Sequence, residues 1–593
     1  GLVVKNWPAI QVGRSSVLGE FAAQAAQQLP VPGAVLVSDE PHTLLLVEAS
    51  LQRGGQPHPH VLLDTVSLPY HSYHRHLAKR YPQRVPDLLA QEDAREPRDP
   101  GGLTQFLASL TRTNTVVYLN PSFGYFFETI YRQPHGLLYR VKEFQTDDVE
   151  PPPLSPAEVE ETRAFWEKLK PALAAVPEKA RTKNPDALFV GRACSRALNS
   201  WGVALQQLGQ VEEAGRCFAQ AQELYADNVV AKLNGEFNQS LHRGQPQALP
   251  LDRAVETKFG QYRGWNPMLM ANGPFDEPTM CFRLGQEYAR NSLFRQAAQQ
   301  FTRVQALTPD NIQAQVLLAD MFLEGRVPDR ALAVIAQVRN RENAPPLSLT
   351  NQLELVRLEA LAHFSKSAFA KEAKEVATAE KELARAEEVL LAAQKRFPQQ
   401  ETVLDTLAQI YWSAEQLPKA LAAMDQQLQL DPRNTRVLLN KAAVSIQTKD
   451  FDEASRQLDQ ALKLAPDNLQ ALFLEVSLHT QNKAFDKANA SLDRIIELDP
   501  RNGQALLHKA ALAIEAKAYD QAFAPLNKVL KVQPENWAAL MNRAIANLQS
   551  GQLEAAQRDY EKLKKIVPRL HAVYYGLGEI AVRRNRPSDA IAN

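Results

Sequence analysis

Six prolines recur at one fixed interval: Pro398, Pro432, Pro466, Pro500, Pro534 and Pro568, each 34 residues after the last. An interval of that length matches one helix–turn–helix unit in a stacked array. Such units contact their neighbours in sequence, so the chain extends by addition and does not close around a single centre. A chain of 593 residues is in any case too long for one core.

Other offsets repeat with the prolines. In the unit Thr435 to Asn468, Ala442 falls at the eighth position, Ala454 at the twentieth, Leu458 at the twenty-fourth and Ala461 at the twenty-seventh. Ala420, Ala488, Ala522, Ala556 and Ala590 repeat the twentieth position. Small residues suit the point where two helices cross closely, and the proline ends the second helix. This pattern resembles the tetratricopeptide repeat family. Looser copies occupy Ser195 to Asn228, with Trp201, Gly202, Ala214, Phe218 and Ala221, and Pro278 to Asn311, with Leu284, Gly285, Ala297 and Phe301. Another starts near Ile312. Lys371 to Arg396 lacks Gly and Pro and reads as the long second helix of an expanded repeat. The resemblance implies an α–α solenoid, with 401–593 as a regular right-handed superhelix whose last repeat is incomplete.

Composition narrows the partners. The formal net charge is zero, which argues against nucleic acid, since phosphate binding usually needs a basic face. Cys194, Cys217 and Cys281 show no metal or disulfide spacing and read as buried small hydrophobes. No apolar run is long enough to span a bilayer. Gly1 in place of Met and a last repeat that stops at Asn593 suggest a protein extending past both ends.

The first 150 residues are not repeats. Gly33–Val37, His60–Asp64, Thr115–Leu119 and Gly136–Val141 read as strands, with helices at Pro41–Gln52, Tyr70–Tyr81 and Leu103–Leu110 between them. The alternation predicts a mostly parallel, Rossmann-like α/β sheet covered on both faces. Ser38-Asp39-Glu40-Pro41-His42 is no Gly-rich phosphate loop, and no cofactor is expected. Asp39, Asp64 and Asn120 gather where strands end. They either line a ligand crevice or cap the helices that follow. Seven of the twelve histidines lie here. His71, His74 and His76 sit among Arg75, Lys79 and Arg80, which favours a solvated helix face over a metal pair. No catalytic constellation is visible, so no enzymatic activity is expected of the fragment.

Within this region Asp39 to Tyr81 and Tyr118-Leu119-Asn120-Pro121-Ser122-Phe123-Gly124-Tyr125-Phe126-Phe127-Glu128, followed by Pro134-His135-Gly136-Leu137, carry a second resemblance. They resemble the soluble segment after the membrane bundle in bacterial polytopic GT-C glycosyltransferase-like proteins, relatives of the protein O-mannosyltransferases. That resemblance implies an extracytoplasmic location and a transmembrane bundle as partner. It places catalysis outside these residues.

The domain plan expected is 1–150 α/β, 151–194 linker and docking helices, 195–345 irregular repeats with an insert at 229–277, 346–400 expanded repeat, and 401–593 regular array. Glu150 to Leu154 reads as a stiff linker, and Ser155 and Glu158 as a capping box opening a helix that docks on the first repeat. In the insert, Trp265, Asn266, Asn272 and Phe275 either line a pocket or plug a junction between arrays. A binding groove along the first helices of the array would include Leu439, Asn440, Ala443, Phe473, Ser477, His508, Ala511, Met541, Asn542 and Ile545. This row is mixed and not basic, which suits an extended or helical protein segment. The functions in view are an interaction scaffold, as the soluble part of a membrane sugar transferase or as a stand-alone adaptor, and a plain spacer.

Overall fold

A computed structural model describes residues 17–30, 33–53, 59–82, 100–121, 124–145, 148–244, 259–341 and 345–586. It comprises two compact units, Gly1–Ala386 and Glu387–Asn593. The division falls inside the helix Val376–Arg396.

In the first unit, β1 (Val35–Ser38), β2 (Val61–Asp64) and β3 (Val116–Leu119) run parallel in the order β2-β1-β3. β5 (Leu138–Glu143) adds antiparallel to β3, and β4 (Ile130–His135) lies outermost. The sheet is therefore mixed, not the mostly parallel one that strand–helix alternation predicts. The cause is the link between β4 and β5. Gly136 and Leu137 alone connect them, with Gly136 at φ +64, and so short a link makes only a hairpin. β4 escapes a sequence reading because Arg132, Gln133, Pro134 and His135 break its apolar pattern. Pro134 is tolerated on an edge strand.

Alternate strand residues supply two faces. Leu36, Leu62, Val117 and Leu119 meet Phe21, Leu44 and Val47 of the helices Val17–Gln27 and Pro41–Gln52. Val35, Val37, Val61 and Leu63 meet Leu77, Phe106 and Leu107 of His71–Arg80 and Pro100–Thr113. The first of these cores does not stop at the sheet. It continues through Trp166 of the helix Pro156–Leu173 to Trp201 and Phe218 of the first repeat. That helix opens on the expected capping box: Ser155 Oγ accepts from Glu158 N at 3.3 Å, and Glu158 Oε2 accepts from Ser155 N at 2.9 Å. The proline-rich joint before it is pinned, by Gln133 Nε2 to the Pro152 carbonyl (2.6 Å) and Gln299 Nε2 to the Val149 carbonyl (2.8 Å).

Three sequence expectations change here. His71 and His74 are buried, at 8% and 3% exposure, and do not form a solvated face; His74 Nε2 donates to the Leu68 carbonyl. Leu68, Leu77 and Phe106 draw that side of the helix inward. The insert begins later than residue 229, because Val229–His242 is a regular first helix, capped by Asn228 Oδ1 on Ala231 N at 2.9 Å. The expanded repeat has two long helices, Leu349–Glu372 and Val376–Arg396, broken at Lys374 in the left-handed region.

Repeat helices cross at matched small and large residues. Gly202 faces Phe218 and Gly285 faces Phe301, so close that an added Cβ would lie 2.6 Å and 2.8 Å from the rings. In the second unit Ala442 and Leu458 fill the same two positions in one apolar cluster. Bulk lost on one side is regained on the other, which keeps the density of a packed interior.

The second unit stacks the pairs Glu401–Ser413/Leu417–Leu430, Thr435–Gln447/Phe451–Leu464, Leu469–Gln481/Phe485–Leu498, Gly503–Glu515/Tyr519–Val532 and Trp537–Gln549/Leu553–Ile566, then His571–Arg583. Each alanine at the twentieth position from Ala420 to Ala556 has no exposed surface. Asn434, Asn468, Asn502 and Asn536, two residues after successive prolines, cap the next helix at 3.2, 3.0, 3.0 and 3.0 Å. Gln400 and Leu570 stand in that place after Pro398 and Pro568 and provide no side-chain cap. First helices end on Lys449, Lys483, Lys517 and Gly551 with positive φ. The next N–H then reaches back five residues, as Ala484 N does to the His479 carbonyl at 2.7 Å.

Two outcomes follow from this geometry. Gly202→Ala should cost about 1–3 kcal/mol in urea unfolding, and Phe218→Leu in the same chain should recover part of it, a coupling that a double-mutant cycle measures. Asn502→Ala should cost about 1 kcal/mol, while Lys483→Gly should stabilise by up to about 1 kcal/mol by relieving the left-handed residue.

Candidate functional site

The residues at the sheet edge turn inward. Asp39 accepts from the Thr65 and Tyr118 hydroxyls. Burial, with the Asp39 carboxylate next, pushes the Tyr118 phenol well above its ordinary pKa. Asn120, at φ +56, donates Nδ2 to Glu40 Oε2 at 2.7 Å. Asp64 instead folds onto its own turn, accepting from Val66 N at 2.9 Å and from the Ser67 hydroxyl. None caps a following helix: Pro41–Gln52 and His71–Arg80 start at Glu40 and Tyr70 without a side-chain cap. Over this edge lies the repeat helix Pro185–Gln207. Its Ser200 Oγ takes the Tyr139 hydroxyl at 2.7 Å, and its buried Arg196 approaches Glu40 at 3.9 Å. The edge is a buried polar joint between sheet and repeats, which the sequence alone does not reveal because Arg196 and Ser200 look like ordinary helix residues.

The phenylalanine-rich motif serves the same joint. Phe126 and Phe127 enter the sheet core. Glu128 then places its carboxylate on the N-terminus of the repeat helix Phe294–Leu307, accepting from Arg295 N at 2.9 Å and Gln296 N at 3.0 Å. Those N–H groups have no partner within their own helix, and the helix dipole favours a negative charge there.

The insert lies on the first helices of the early repeats. The short helix Trp265–Asn272 ends at Gly273, and Gly273 to Asp276 runs extended into the helix Pro278–Arg290. Its carbonyls are taken one after another. Arg196 Nη1 donates to Met270 O at 2.7 Å, Asn199 Nδ2 to Asn272 O and Pro274 O at 3.0 Å each, and Asn228 Nδ2 to Asn272 O at 3.1 Å. Asn234 clasps both edges of the chain, donating to Pro274 O at 3.0 Å and accepting from Asp276 N at 2.8 Å. Gln206 Nε2 reaches Asp276 Oδ2 at 2.7 Å, and Arg303 closes on both oxygens of the same carboxylate at 2.6 and 2.7 Å. Of the four insert residues singled out, Asn272 and Phe275 are buried and the Trp265 ring stands edge-on to Phe275 at 6.2 Å, while Asn266 is exposed.

In the second unit, first helices of successive pairs touch, as Thr435–Gln447 does Leu469–Gln481 and Gly503–Glu515 does Trp537–Gln549. Leu439 does not line a surface there; at 3% exposure it packs with Leu438 and Ala442, because its position turns toward the neighbouring helices. Asn440, Ala443, Ser477, Met541, Asn542 and Ile545 are half-buried, and His508 and Ala511 are exposed. Phe473 and His508, from neighbouring repeats, come together edge-on at 6.2 Å. Exposed Gln447, Gln481, Gln504 and Gln549 extend the same helices, and the lone basic residue at their second position, Arg436, is paired with Asp405 at 2.7 Å. The resulting surface is nearly neutral and carries amides and aromatic rings.

Family models described as tetratricopeptide repeat match residues 411–474 and, separately, 282–345, 480–531 and 526–571. These segments are tetratricopeptide repeats. No curated protein matches the chain. Among solved structures, YrrB, described as a repeat protein with an unusual peptide-binding site, is 18% identical, with 31% of this chain and 96% of that one covered (TM-score 0.27). A tetratricopeptide repeat protein from Parabacteroides merdae is 21% identical over 39% and 90% (TM-score 0.30). PilW, described as a type IV pilus biogenesis factor, is 23% identical over 32% and 88% (TM-score 0.29).

The joint predicts long-range losses. Glu128→Ala should destabilise the first unit by about 1–2 kcal/mol and speed amide exchange at Arg295 and Gln296, whose donors lose their acceptor.

Proposed function

We propose that the tetratricopeptide array of the second unit is a scaffold that holds polypeptide along its first-helix face. The supporting observation is the Phe473–His508 ring pair, flanked by uncharged amides on neighbouring first helices. Rings bury apolar area at little entropic cost, and amides both donate to and accept from a peptide main chain. The repeat pattern itself supports binding as the role, since arrays of this kind present extended surfaces to partners. A narrower reading makes the chain the soluble, extracytoplasmic part of a GT-C-like membrane protein. It rests on the resemblance carried by Asp39–Tyr81 and Tyr118–Leu137, and a multi-span region encoded before Gly1 would support it. No helix among the described residues is long and apolar enough to cross a membrane.

A photo-crosslinker at Ala511 should capture polypeptide from the source envelope fraction, whereas one at exposed Val532 on a second helix should not. Phe473→Ala and Met541→Ala should weaken capture about tenfold or more, the scale of a residue worth over 1 kcal/mol at an interface. Equal capture by all variants and both crosslinker sites would mark the array as a spacer.

A further inference from the structure

The insert has the contacts of a bound peptide. Its hosts sit at regular repeat positions: Arg196, Asn199 and Gln206 at the second, fifth and twelfth of the unit beginning at Ser195, and Asn234 at the sixth of the next. These are first-helix positions, the side on which stacked repeats present their extended binding surface. The guest runs from the last turn of the helix Trp265–Asn272 into the non-helical stretch Gly273–Asp276, and its Met270, Asn272 and Pro274 carbonyls are bonded by side chains instead of by a neighbouring strand. It also approaches the host as closely as a chain can. A Cβ on Gly273 would lie 2.9 Å from Asn199 Nδ2 and 3.0 Å from the Arg196 carbonyl oxygen, and Gly273 sits at φ +89.

We propose that the first-helix face of the early repeats is a peptide-binding site whose resident ligand is the chain's own segment Met270–Asp276. The ligand class follows from the contacts. It is a segment that leaves a helical turn, with glycine at the point of closest approach, a proline carbonyl shared by two asparagines, an apolar ring next, and a carboxylate for Arg303. A partner segment of that pattern enters when the resident one leaves. In the intact chain it does not compete, because the tethered segment acts at an effective concentration in the millimolar range. The site is separate from the array of the second unit, and its test is independent of the function proposed there.

The test uses the full chain and a labelled peptide, acetyl-Met-Ala-Asn-Gly-Pro-Phe-Asp-Glu-amide, copied from residues 270–277. Gly273→Val should expel the resident segment while leaving every host side chain in place. Amide exchange at Phe275 and Asp276 should then rise by about 100-fold or more, with the repeat helices still protected. Fluorescence anisotropy should show the peptide binding this variant about 100-fold tighter than wild type. Adding Asn234→Ala to the variant should abolish that gain, as should a peptide with valine in place of its glycine. If Gly273→Val does not fold, Phe275→Ala weakens the resident segment at a side chain outside the asparagine clasp. Faster exchange without peptide binding would overturn the proposal and leave the segment a structural loop. Unchanged exchange in both variants would overturn it as well, since the clasp would not be what holds the segment.

Discussion

A buried main chain must find partners for its carbonyls and N–H groups, and the first unit is organised by that demand. Gly273 to Asp276 crosses the interior between two helices. Gly273 N is taken by the Leu269 carbonyl of the helix before it, while Asn199, Asn234 and Gln206 supply the main-chain partners of Pro274 and Asp276. Arg196, Asn199 and Asn228 take carbonyls at the end of that helix, and Arg303 pairs with the Asp276 carboxylate. Through this segment the helices Pro185–Gln207, Val229–His242 and Phe294–Leu307 are linked, in addition to the direct packing between the first two. The sheet edge and Glu128 then lock onto the same helices. An uncompensated loss in such a network costs more than one hydrogen bond contributes, because the remaining partner stays buried.

The regular array was legible because its period, its crossing alanines and its prolines all mark the same short-range contacts. Even the asparagine caps can be read, once each is seen to follow a proline by two residues. Leu439 shows the limit: it shares a helix with Asn440, and a difference of one residue separates a core position from a surface one. Long-range contacts were not legible. Asn199 and Asn234 meet residues 40 and more positions away, and nothing local distinguishes them from solvated helix polar groups. Asp39, Asp64 and Asn120 stand at the strand ends as expected, but Asp39 is taken by Thr65 and Tyr118, Asn120 by Glu40, and Asp64 by its own turn. The hairpin was missed because β4 has no apolar alternation, its burial coming from what packs on it.

The two units also differ in kind. In the second, four successive pairs open on the same asparagine cap and all five share the alanine crossing, so neighbouring pairs support one another one step at a time. In the first, glycines facing phenylalanines, a capping carboxylate from the sheet and a threaded segment replace that regularity with specific long contacts. Removing one repeat from the second would shorten it, whereas removing Ser195–Asn228 or Pro278–Asn311 from the first would break bonds to the sheet or to the threaded segment.

Glu128 and the helix it caps are separated by 167 positions in the chain. During synthesis at about 5–20 residues per second, roughly ten to thirty seconds pass between the appearance of the carboxylate and that of its N–H partners. Through part of that interval the strand ends lack Pro185–Gln207, the helix that lies over them, and for all of it Glu128 lacks the helix it caps. A pause or truncation before Phe294 should therefore leave the sheet side of this joint without its last partner.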